Sequence, residues 1–186
     1  GVNWGVSSLY TDDADLYLPS DKAASQRLNE DYRHPDTRIA PGAIKSGMLE
    51  GKAIQAAILQ TIDKAKGNIL IIANYFTNYT LQNAVTASVK KGNTCELLLN
   101  PLGYGANSAA KWMSEHGCTV RMAPDSPYLH AKVILTPQGG VIGSANFSYD
   151  GLNHNREADV VIPRSLLADA QSWATQLWNA GTPYAS

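Results

Sequence analysis

The chain has 186 residues, of which 44% are hydrophobic and 17% charged, and its formal net charge is -1. That is enough apolar material to bury the core of one domain or a little more. It excludes the broad cationic surface that draws a chain to nucleic acid or anionic lipid, and no apolar run reaches the roughly 18 residues of a spanning helix.

Gly1 is not a natural start, and no basic, apolar leader follows it, so the N-terminus reads as processed or cut. A low charged fraction with abundant Asn, Ser, Thr and Tyr leans toward a secreted or periplasmic protein. Cys95 and Cys118 are too few for a disulfide scaffold or a zinc site. Both open apolar strand-like runs and are expected as buried free thiols.

Residues 13–18, DADLYL, alternate as a strand; Pro19 ends it, and Ser20 or Asp21 caps a helix over 21–32. Residues 34–45 carry two prolines and a glycine without periodicity and read as a linker. Ile54, Ile58, Ile62 and Ala65 then repeat at helical spacing, with Gly67 as the stop. NILIIANYF is a continuous, β-branched, buried strand. Leu81, Val85 and Val89 mark the next helix, ended by Gly92; TCELLLN is a strand, ANSAAKWMSEH a helix ended by Gly117, and CTVRMA a strand. This alternation predicts an α/β fold, a mixed sheet with parallel members flanked by helices. LHAKVILT and GVIGSAN follow as a hairpin joined by PQGG. ADVVI is the last strand, Pro163 breaks it, and Leu166, Ala170, Trp173 and Leu177 mark a closing helix.

The two ends of the chain repeat each other. Asp159 and Pro163 lie 144 residues after Asp15 and Pro19, and Glu157 falls on Asp13 by the same offset. Asn146 falls on Asn3 with one residue of slip, which aligns Phe147 with Trp4. The reading is an internal repeat: residues 1–33 are the end of a first half, 34–45 a linker, and 46–186 a complete second half.

The chemistry gathers on the hairpin. His130 and Lys132 are two apart on one strand and share a face; Ser144 and Asn146 do the same on its partner. An ammonium, a carboxamide and a hydroxyl are donors suited to an anion with several oxygens. A His beside them supplies a nucleophile or a proton near neutral pH. Glu157 is placed to accept from the second ring nitrogen, fixing the tautomer and stabilising the imidazolium. Donors for a phosphate with an oriented His point to phosphoryl or phosphatidyl transfer without a metal or other cofactor.

H-A-K at 130–132, G-S-A-N at 143–146 and N-R-E at 155–157 together resemble the phospholipase D superfamily, with its HxKx4D signature and downstream GSxN. The resemblance covers residues 46–186. The opening GVNWG is similar to the end of the first motif of a two-motif member, with Gly1 at the serine position. One departure stands out: the signature Asp falls on Pro137. In the family that Asp is thought to support the fold rather than touch phosphate.

The resemblance implies an active site shared by two halves, each contributing a His, and a phosphohistidine intermediate. His130 would be the general acid and later base, and the other half's His the nucleophile. Lys132, Ser144, Asn146 and Asn3 would hold the phosphate, and Asp13 would serve the other half's His. The partner so implied is the segment carrying the other His-Lys pair; the substrate is a phospholipid or another phosphodiester. The alternatives are an endonuclease of the same superfamily, which the near-neutral charge disfavours, and a phosphodiester-binding pseudoenzyme.

Plainer roles exist for each residue: Ser144 closing the turn, Asn146 capping the hairpin end, Glu157 in a surface ion pair. Asn74, Tyr75 and Phe76 follow the first strand and line either the pocket or the core. His34, His116 and His154 have no partner at informative spacing, and His116 reads as a helix C-terminal cap.

Overall fold

A computed structural model of the chain describes residues 11–12 and 48–185. Asn3, Asp13, the strand and helix read at 13–32 and the linker lie outside the described residues.

The first two strands are short: β1, Thr11–Asp12, and β2, Met48–Glu50. Helix α1, Lys52–Asp63, buries Ile54, Ile58 and Ile62, one stripe at intervals of four. Strand β3, Asn68–Ala73, follows, then α2, Tyr79–Lys90, which starts where the Asn78 side chain accepts the Leu81 amide at 3.1 Å. Next come β4, Thr94–Leu99, α3, Ala106–Glu115, and β5, Thr119–Met122. Gly92 and Gly117 hold φ of +101° and +93°, a region costly for any side chain, which is why the helix ends fall there. Tyr128–Leu129 is β6, Lys132–Thr136 β7 and Gly139–Gly143 β8. The chain closes with α4, Tyr149–Asn153, β9, Ala158–Val161, α5, Leu167–Ala180, and β10, Thr182–Pro183.

Eight strands form one mixed sheet in the order β10-β5-β4-β3-β7-β8-β9-β2. β3, β4 and β5 are parallel, and the remaining pairings are antiparallel. The sheet buries both faces. Ile69, Ile71, Leu97 and Ile134 pack against Ile54, Leu81, Val85 and Met113 of α1, α2 and α3. Leu70, Ile72, Leu98, Val133 and Leu135 pack against Leu167, Ala174 and Trp178 of α5. Burial on both faces explains the continuous apolar runs that mark these strands in the sequence. β1 lies outside this sheet and pairs in parallel with β6, Thr11 opposite Tyr128 and Asp12 opposite Leu129.

Three expectations are corrected. Cys95 and Cys118 are bonded to each other, with Cα atoms 4.7 Å apart, rather than being free thiols. The β4–β5 register pairs Glu96 with Thr119, so the preceding residues of the two strands, both cysteines, fall side by side. The hairpin turn is Pro137–Gln138 alone, and Gly139 and Gly140 already belong to β8. Finally, β8 stops at Gly143, so Ser144–Asn146 form a turn instead of continuing the strand.

Candidate active site

Of the predicted site residues that are described, His130 and Lys132 lie where β7 begins, Ser144 and Asn146 just after β8 ends, and Glu157 just before β9; Asn3 and Asp13 lie outside the described residues. Register places Lys132 in a cross-strand row with Gly143 and Asp159. Leu99 pairs with Ala73, Ala73 with Lys132, Gly143 with Asp159, and Asp159 with Leu49. The β7–β8 register, Val133 opposite Ile142, sets Gly143 beside Lys132 one step further on. The long Lys132 side chain therefore has small row neighbours, Ala73 and Gly143.

Lys132 is 1% exposed. A buried ammonium is costly unless hydrogen-bonded, and its Nζ donates to the His130 carbonyl. The two motif residues are thus bound to each other by more than their spacing. The expected single strand over LHAKVILT is split: β6 ends at Leu129 and β7 begins at Lys132, so His130 lies between them and does not share a strand face with Lys132; it is half-buried, its ring 6.2 Å from that of Tyr128.

Across the hairpin, the Ser144 hydroxyl donates to Glu157 Oε2 at 2.6 Å and accepts the Ala158 amide at 3.0 Å. Glu157 Oε1 accepts from Asn155 Nδ2 at 3.2 Å. Among the described residues the hydrogen bonds of this carboxylate run to Ser144 and Asn155, not to the imidazole that the sequence reading assigned it.

Asn146 is held from two sides. The next carbonyl, that of Phe147, accepts the Thr77 and Asn78 amides, both at 2.9 Å, and the Phe147 ring meets Phe76 edge-on at 6.0 Å. Phe76 is thus core. A Cβ on Gly151 of α4 would stand 2.3 Å from the Asn146 carbonyl, so the helix start is pressed against this residue. Asn146 lines a cleft of about 1000 Å³, and its Oδ1 is buried without a hydrogen-bond partner among the described residues. Tyr75, Tyr79, Tyr104 and Tyr149 line the same cleft with Asp150 and Asn155, and among the described residues no Lys or Arg does. Asn74 is instead buried, accepting from Asn100 Nδ2 at 3.0 Å and Tyr128 Oη at 3.1 Å.

Sequence reasoning missed Asp159. It is 2% exposed, and its Oδ1 accepts the Ala145 amide at 3.0 Å. Burial, with the Glu157 carboxylate adding to it, raises its pKa from the ordinary 3.8 to about 7, against the pull of the Ala145 and Ser144 amides. The signal was an acid inside the apolar run ADVVI, two residues after Glu157. The His154 pairing was also missed: its Nδ1 lies 2.9 Å from Asp150 Oδ1, at the cleft. His116 caps α3 as expected, its Nδ1 2.7 Å from the Trp112 carbonyl.

Pro137 is at the other end of β7. It lies five residues after Lys132, a span of roughly 17 Å along the strand. There the Thr136 hydroxyl accepts the Gln138 and Gly139 amides at 3.3 and 3.2 Å, closing the turn. The departure from the signature thus falls in the hairpin turn, at the end of β7 away from Lys132.

Residues 58–178 match the family described as "Cardiolipin synthase, PLD-like domain". This chain belongs to the phospholipase D-like family. Its fold is shared with the phospholipase D family member Nuc from Salmonella typhimurium: 26% identity, TM-score 0.68, 75% of this chain and 98% of that one covered. NucT from Helicobacter pylori is 14% identical with a TM-score of 0.64, covering 70% of this chain and 91% of that one. Phosphatidylserine synthase from Haemophilus influenzae is 14% identical with a TM-score of 0.62, covering 90% of this chain and 48% of that one. No curated protein matches the sequence. Among the described residues of this phospholipase D-like chain, no helix is long and apolar enough to cross a membrane.

Proposed function

We propose that the chain is a phospholipase D-like phosphodiesterase, a hydrolase or transphosphatidylase acting on phospholipids. The observation that carries this is the juxtaposition of His130, bound through its carbonyl to buried Lys132, with the Gly143–Asn146 turn that ends in an unpartnered Asn146 Oδ1.

In this reading Lys132, Asn146 and Ser144 cradle the phosphate, with Asn3 adding to it from the N-terminal segment. A His from the other half attacks phosphorus and forms a phosphorus–nitrogen bond, while the imidazolium of His130 gives its proton to the departing alkoxide. Neutral His130 then takes a proton from water or an alcohol, whose oxygen attacks phosphorus and breaks the phosphorus–nitrogen bond. Fixed donors aimed at the phosphoryl oxygens lower both barriers. Asp13 would orient the other half's His, and Glu157 would keep Ser144 in place. The pairing of β1 with β6, directly before His130, supports a contribution to the site from the N-terminal segment.

The lipid is favoured over a nucleic acid by the cleft beside Asn146, whose lining among the described residues holds four tyrosines and no Lys or Arg. The test is incubation with phosphatidylcholine vesicles and, separately, with plasmid DNA, both in chelator. Release of choline is the expected result. Nicked DNA without choline release would make the chain an endonuclease, and silence in both would leave a phosphodiester-binding protein without turnover.

A further inference from the structure

Asp159 has no part in the chemistry above, yet the site is built around it. A Cβ on Gly143 would stand 2.2 Å from Asp159 Oδ1 and 2.3 Å from its carboxyl carbon. The motif glycine is therefore required by the carboxyl group that lies where its side chain would be. From there Oδ1 takes the Ala145 amide, the middle residue of the turn between Ser144 and Asn146. That bond draws the chain out of β8 after Gly143 and sets the direction in which Asn146 leaves. Oδ2 is buried and has no hydrogen-bond partner among the described residues.

We propose that Asp159 is a positioning residue of this site: it fixes the Ser144–Asn146 turn through the Ala145 amide and takes up a proton from solvent when a phosphodiester anion binds. The proposal rests on the phosphodiester reading of the site.

Oδ1 accepts from Ala145 whether or not Oδ2 carries a proton, so the turn survives protonation. The charge does not survive the arrival of an anion so easily. Among the described residues, the charged groups around Asp159 are Glu157, two residues before it and just ahead of β9, Lys132 two strands away in the same row, and Glu50 on β2, which pairs with Ala158. α1, packed on the same face, presents Ile54 and Ile58. A carboxylate so poorly solvated, beside a second one, already titrates at about pH 7. A phosphodiester monoanion placed nearby raises that value further, and by linkage the anion binds more tightly when the proton is present.

The experiment uses the full 186-residue chain, Asp159→Asn and Asp159→Val. The probe is dimethyl phosphate, whose single charge is constant between about pH 5 and 9. Two quantities are measured across that range: the Ala145 amide resonance and the dimethyl phosphate affinity. The expected result is a wild-type Ala145 amide that titrates near neutrality, and an affinity that falls through the same window more than in Asp159→Asn. Asp159→Asn keeps the acceptor and loses the ionisation, so its amide is flat while its affinity stays within about threefold of wild-type at low pH. Asp159→Val, which orphans the Ala145 amide, loses affinity about tenfold or more at every pH.

An Ala145 amide that does not titrate in wild-type, or identical affinity profiles for wild-type and Asp159→Asn, would overturn the proposal. If Asp159→Val does not fold, the Asp159→Asn comparison still decides. Absence of choline release alone bears on the proposed function only, since neither measurement depends on turnover.

Discussion

Gly143 and Asp159 face each other across β8 and β9, and the carboxyl group of Asp159 fills the space a side chain on residue 143 would need. Gly143→Ala must push that group aside and strip the Ala145 amide of its acceptor. The expected cost is about 1–3 kcal/mol of stability, with loss of phosphodiester binding. Denaturant unfolding and dimethyl phosphate titration measure the two; a Gly143→Ala protein that keeps full affinity would detach the glycine from the site.

His130→Ala should abolish turnover in a preparation competent for choline release, while the thermal midpoint stays within a few degrees, because the ring is only half-buried. Lys132 is wholly buried, so Lys132→Met is the cleaner substitution: it retains the packed stem and removes the ammonium. A Lys132→Met protein with wild-type turnover would remove the lysine from the phosphate cradle.

Restoring the signature acid tests the meaning of Pro137. The residue sits in the hairpin turn, at the far end of β7 from Lys132, and Thr136 already accepts the turn amides. Pro137→Asp should therefore leave turnover within about twofold and change stability by less than about 1 kcal/mol. A large gain in rate would show that the turn controls the site.

The Cys95–Cys118 bond closes a short loop that contains β4, α3 and the approach to β5. A cross-link of this span is worth about 2–4 kcal/mol, so unfolding in reductant should shift by that amount. Alkylation of the unreduced, denatured chain should leave both cysteines unlabelled. Labelling of both thiols would return the pair to the free state.

Asp159 also predicts a pH dependence of stability. Its pKa is raised on folding, from 3.8 to about 7, so the folded chain holds a proton that the unfolded chain has lost. Its contribution is present in full below the unfolded value and declines as pH rises through the folded one. The stability difference between wild-type and Asp159→Asn should accordingly fall between pH 4 and 7 and level off above. A difference that rises across this window would reverse the assignment.

The elements and the motif were legible because each is written locally. Ile54, Ile58 and Ile62 announce a helix at one period, the apolar run at Ile69–Ala73 a buried strand, and His130, Lys132, Ser144 and Asn146 lie within seventeen residues of sequence. Residues 48–50, 149–153 and 182–183 were not legible, because so few residues show no period and are held only by their neighbours.

What the amino-acid order alone determined, then, was the alternation of helices and strands, the chemistry of the hairpin and membership by motif. Strand register belonged to the tertiary structure, because it is set by pairing between segments far apart in the chain. Register brought Cys95 beside Cys118, sent Pro137 to the far end from Lys132, and laid the Asp159 carboxyl in the hollow of Gly143.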